Sequence, residues 1–186
     1  MAQQDRQWVL INDEEEKAVW DSVEKVTGFV PRTTGREYKA FAFDVPLPEG
    51  EVKAADIYDI STSRIYTNNA EINDMIREML KVCVGDEPYM YALDWNHSSF
   101  RYNPRITEKI EYPVWIDGKS GSGDGYNVYF PTFYPNGDYY FFIARDFSWG
   151  YLGHPWLKRI YVYGQKLRGL IRKYSYILGF IPINAE

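Results

Sequence analysis

The chain is poor in the residues that carry most recognisable chemistry. Its 186 residues include one cysteine, Cys83, and two histidines, His97 and His154. A lone cysteine forms no internal disulfide and no cysteine-based zinc site. No apolar run reaches about 18 residues, so no helical membrane span is expected. The opening Met-Ala-Gln-Gln-Asp-Arg-Gln-Trp lacks a basic stretch followed by an apolar one, so no secretory signal is expected and the location reads as cytoplasmic. Low-complexity sequence is confined to residues 118–125, expected to be a mobile loop. Aromatic residues, by contrast, make up 18% of the chain, with 17 Tyr and 6 Trp, which argues against intrinsic disorder. The length suits a single domain, residues 1–186, with a sizeable core.

Charge is unevenly spread. The net value of −5 divides into −6 over residues 1–60, −4 over 61–150 and +5 over 151–186. An acidic body disfavours general nucleic-acid binding, because phosphate contacts need clustered cations. The basic end carries Lys158, Arg159, Lys166, Arg168, Arg172 and Lys173. Those cations either meet an anionic partner or pack near the acidic N-terminal half.

The spacing of apolar residues predicts three helices. Asn12 with Glu15 three residues on reads as an N-cap with its capping-box partner, and Gly28 as the stop. Ala18, Val19, Val23 and Val26 recur between them at helical spacing. Ile72, Met75, Ile76, Met79, Leu80 and Cys83 predict a second helix over 69–84, closed by Gly85. A third is predicted over 165–178, with Leu167, Leu170 and Ile171 facing inward. Strands are predicted at 8–11, 38–43, 89–95, 99–102, 112–116, 127–134, 138–145 and 158–163. Asn136-Gly137 between two aromatic runs predicts that 127–134 and 138–145 form a hairpin. This order gives an α+β class: a mainly antiparallel sheet with about three helices packed on it, on one face.

Motifs for chemistry are incomplete. Gly118-Lys119-Ser120 resembles the end of a phosphate-binding loop, but Pro113 stands where the first glycine must be. Cys83 lies on the apolar face of a helix and reads as a small core residue. His97-Ser98-Ser99-Phe100 fits the H-x-[S/T]-apolar pattern of two-histidine phosphoesterases, but His154-Pro155-Trp156-Leu157 lacks the hydroxyl. No local spacing demands a metal, and no cofactor is indicated; His97, His154, Asp94 and Asp138 would serve as ligands only if folding gathers them. Aromatics interleaved with Asp, Asn and His concentrate in Tyr91–His97 and Pro135–Trp156. The candidate catalytic residues are therefore His97 and His154, oriented by Asp94 or Asp138 and within reach of one ligand. The candidate binding residues are Trp95, Tyr102, Trp149 and Trp156, with Arg101, Arg105 and Arg145 for phosphate.

The same stretches resemble DUF2716, a bacterial family of unknown function. The resemblance rests on Trp8, Val19-Trp20-Asp21, Tyr91–His97, Asn103-Pro104, Pro135–Phe142 and Asp146–Trp156, and it implies no activity. Two functions stay open. One is a small acidic protein that masks a protein partner, as immunity proteins neutralise a toxin. The other is an enzyme or sponge for a nucleotide-like or phosphorylated small molecule, acting through His97 and His154.

Overall fold

Asn12 begins the first helix as its position predicts. Its side chain accepts the Glu15 amide at 2.9 Å, and α1 runs Asp13–Thr27 to Gly28, whose φ of 63° closes it. The other half of the capping box is not made. Glu15 turns instead to Arg101, accepting from Nε at 2.8 Å and from a terminal nitrogen at 2.7 Å. Asn69 caps α2, Ala70–Val84, by accepting the Ile72 amide at 3.2 Å. The third helix, α3, spans Gln165–Leu178. The computed structural model describes residues 6–30, 55–67, 69–107, 114–116 and 125–183. The strand predicted at 38–43 lies outside them, as does the 118–125 loop apart from Gly125.

Ten strands accompany these helices among the described residues. They are β1 (Trp8–Leu10), β2 (Asp56–Asp59), β3 (Met90–Asp94), β4 (Ser99–Tyr102), β5 (Val114–Ile116), β6 (Tyr126–Val128), β7 (Tyr140–Ile143), β8 (Gly150–His154), β9 (Arg159–Tyr163) and β10 (Ile181–Ile183). Eight form one sheet in the order β1-β4-β3-β7-β8-β9-β2-β10, every neighbouring pair antiparallel. The fold is α+β, and β5 and β6 pair separately.

The expected hairpin does not form. After Val128 the chain leaves the ladder, and β7 pairs with β3 and β8 instead. Pro131 and Pro135 explain why: neither offers an N–H, so 129–135 cannot be an inner strand. Gly137 does have a positive φ of 88°, but Asn136 does not, and a two-residue I′ turn needs both. Phe130, Phe133 and Tyr134 pack on the core from this irregular segment, and Tyr151 Oη donates to the Phe133 carbonyl at 2.9 Å.

Helices cover both faces of the sheet, not one. Met90, Ala92, Phe100, Tyr102, Phe142, Tyr151, Ile160 and Val162 point to one side and bury against Ile72, Ile76 and Leu80 of α2 and Leu167 and Ile171 of α3. Leu93, Phe141, Ile143, Leu152 and Tyr163 alternate to the other side, where Val19 and Val23 of α1 and Phe29 meet them. A strand buried on both faces carries apolar side chains at successive positions, as Tyr140-Phe141-Phe142-Ile143 does.

Candidate functional site

At one end of the central strands, two buried carboxyls meet an exposed imidazole. Asp94 is the last residue of β3, and its side chain follows Met90 and Ala92 onto the face of α2 and α3. His97 lies in the turn to β4. Its Nδ1 stands 3.0 Å from Asp94 Oδ1 and 3.6 Å from Asp138 Oδ2. The turn is shaped by Asp94 itself, whose Oδ1 accepts the Asn96 amide at 3.3 Å while its carbonyl accepts that of His97 at 3.4 Å. Asp138 precedes β7 and accepts the Tyr139 amide on Oδ1 at 2.7 Å. The register Asp94↔Tyr140 is what brings the two acids side by side.

Exposure divides the three sharply. The side chains of Asp94 and Asp138 are 4% and 5% exposed, whereas that of His97 is 61% exposed. Burial pushes the Asp94 carboxyl up to about 6; the bond to His97 opposes this, and the neighbouring Asp138 adds to it. The bond to Asp94 raises His97 against a smaller opposing effect of burial. Tyr140, on the same face, is pushed up to about 12 by burial and by both acids. With Nδ1 held by Asp94, His97 turns its other nitrogen outward, the arrangement of a base with an orienting carboxylate. One ligand atom from each of Asp94, His97 and Asp138 lies within 4.8 Å of the others, so the same three side chains also have the spacing of a cation site.

The remaining predicted residues do not join this cluster. His154 follows Leu152 onto the α1 face, 2% exposed, with its ring 5.0 Å from that of Tyr139. Its Nδ1 accepts the Leu157 amide at 3.3 Å, so it braces the turn between β8 and β9. Trp95 and Trp156 contact the same Tyr139 ring, at 5.8 and 5.0 Å. Tyr102 and Trp149 pack on the opposite side, in the core under α2 and α3. The three arginines expected to meet phosphate already have partners: Arg101 on Glu15, Arg145 on Glu87, and Arg105 on the carbonyls of Gly85 and Glu87.

One feature was not anticipated from the sequence: a groove of about 760 Å³ between α2 and α3. Met75, Met79 and Val82 of α2 and Leu170 and Tyr174 of α3 form its floor, and Glu71, Asp74 and Glu78 its rim. Its trace in the sequence is the breadth of the apolar stripes. Met75 with Val82, and Leu170 with Tyr174, extend them beyond what one buried face needs.

Most of the chain, including the Asp94–His97–Asp138 cluster and the α2 side of the groove, is shared with relatives, whereas Leu170 and Tyr174 of α3 lie beyond the matched region. The family described as "Protein of unknown function (DUF2716)" matches residues 10–168. The chain belongs to the DUF2716 family. Among curated proteins it is similar to "Uncharacterized protein YxiI" of Bacillus subtilis (strain 168), 29% identical over 166 residues that cover 86% of this chain and 89% of the relative. No solved structure matches it. The family region contains Asp94, His97 and Asp138 together with α2 and most of the sheet, and it ends within the first turn of α3.

Proposed function

We propose that the chain is a small cytoplasmic protein that binds and masks a protein partner, of the immunity-protein type. The observation that carries this reading is the α2–α3 groove, whose floor is apolar and whose rim holds three acids and no base. Such a groove suits an amphipathic segment with an apolar face and flanking Lys or Arg. Asp74 and Glu78 are bridged to Arg77 and Lys81 on their own helix, both through exposed carboxylates. Exposed pairs of this kind exchange readily for a partner's cations. No helix among the described residues is long and apolar enough to cross a membrane.

The test is capture from cells that make the protein, followed by titration of the identified and purified partner. A partner with a cationic amphipathic segment is expected, and Leu170→Glu with Met75→Glu should abolish its binding. Full binding by that folded double variant would remove the groove from the reading. The carboxylate-held His97 supports a second reading, acid–base work on a phosphorylated small molecule. Turnover of such a compound by the parent and not by His97→Gln is the outcome that would favour it.

A further inference from the structure

We propose that Asp94, His97 and Asp138 form a site for one divalent first-row transition cation, of the Zn²⁺ or Mn²⁺ kind.

The geometry carries the proposal. Ligands about 2.1 Å from a metal lie roughly 3.0 Å apart along an octahedral edge and 3.4 Å along a tetrahedral one. His97 Nδ1 lies 3.0 Å from Asp94 Oδ1 and 3.6 Å from Asp138 Oδ2, which spans those two edges. All three ligand atoms lie within 4.8 Å of one another, so a small inward movement encloses an ion.

Burial supplies an independent argument. Asp94 and Asp138 are 3% and 4% exposed, and two carboxylates so placed repel each other and have lost most of their water. Their protein partners do not make up for it. Asp138 Oδ2 faces the cluster, with the His97 ring at 3.6 Å and the Asp94 carboxyl as its neighbours. That ring carries at most one positive charge and is 61% exposed. A divalent ion between the acids would match their charge, and the open side at His97 gives it an entry path and room for water. The donor set selects the class of ion. An imidazole nitrogen with two carboxylate oxygens favours zinc, iron or manganese over magnesium and calcium, which prefer oxygen alone. His97 binds through Nδ1, so its proton sits on the outward Nε2 when the ion is bound.

This site shares no residue with the α2–α3 groove, so it is tested independently of partner binding. The test is calorimetric titration of the full chain with Zn²⁺, Mn²⁺ and Mg²⁺, beside imidazole NMR spectra. With only two histidines the spectra assign directly. One Zn²⁺ per chain is expected, with Mn²⁺ weaker and Mg²⁺ unable to compete at equal concentration. The His97 signals should shift while those of His154 stay. Asp138→Asn and His97→Gln should each weaken Zn²⁺ by at least about tenfold. Absence of binding, equal affinity in both variants, or a response at His154 or the Cys83 thiol alone would overturn the proposal. Should Asp138→Asn misfold, His97→Gln decides the matter, because it alters only an exposed turn residue.

Discussion

Gly164 links β9 to α3 where no other residue fits. Its φ is 86°, and a β-carbon there would lie 2.2 Å from Trp149 Cβ and 2.8 Å from Trp149 Cα. The backbone conformation and the contact penalise any side chain together. Gly164→Ala should therefore cost about 1–3 kcal/mol, read as a lowered urea midpoint at unchanged slope. An unaltered midpoint would mean that the α3 junction yields freely. Asp94 and His97 show how far single residues disclose a site. Three positions apart on one turn, they were recognisable as a candidate pair from sequence. Their link to Asp138 depends on the Asp94↔Tyr140 register, and no local pattern encodes a register between strands so distant in the chain. His154 invited a functional reading because histidine is scarce, yet its ring nitrogen serves a backbone amide in a turn.

Elements with their own punctuation were legible; those defined by their neighbours were not. The helices α1 and α2 carry both an Asn cap and a glycine stop, and their apolar spacing agrees. The inner strands β7 and β9 are aromatic or β-branched runs. By contrast β8 reads Gly-Tyr-Leu-Gly-His, a poor strand by propensity. Its glycines are required by close approach: a β-carbon on Gly150 would lie 2.5 Å from the Tyr163 ring, and one on Gly153 would lie 2.7 Å from Pro135. The basic helix α3 shows the same dependence. Arg168 and Arg172 both bond Asp56 of β2, at 2.8 Å and 2.5 Å for their closest contacts, so these cations are held by the acidic half of the chain rather than left as a free strip. Burial raises the Asp56 carboxyl, but the bonds to Arg172 and Arg168 together outweigh it and hold its pKa below the ordinary 3.8. A depressed carboxylate stabilises the fold above its unfolded pKa, and that contribution is lost as pH falls through the folded value. The parent should thus lose stability below about pH 4 more steeply than Asp56→Asn does. At neutral pH that variant should already be weaker by about 1–2 kcal/mol, between the values for exposed and buried pairs. Parallel stability curves for the two proteins from pH 7 to pH 3 would contradict the assignment.

At the scale of the molecule, an eight-stranded open sheet must protect its two edges. Helices shield its faces, but among the described residues β1 and β10 have a neighbour on one side only. An unpaired edge offers its N–H and C=O groups to another chain, which leads to association. Both edge strands are three residues long, which limits what they can pair. β10 adds a second device. Its central residue, Pro182, lies opposite Tyr58 and has no N–H to present to a further strand. The flanking Ile181 is 52% exposed, so the edge is apolar as well as open and depends on that proline for its inertness. Replacing Pro182 with Val restores a donor and raises β propensity without touching the core. The monomer should unfold at nearly the parent temperature. The variant should nevertheless associate as concentration rises, which light scattering coupled to size exclusion measures directly. Deleting residues 181–186 makes the complementary change, because it uncovers β2 with its own unpaired groups and apolar Ile57 and Tyr58. That truncation should associate more strongly than Pro182→Val, while Phe180, 3% exposed, still fills its place in the core. A strictly monomeric Pro182→Val protein at high concentration would show that the edge is protected by something other than its proline.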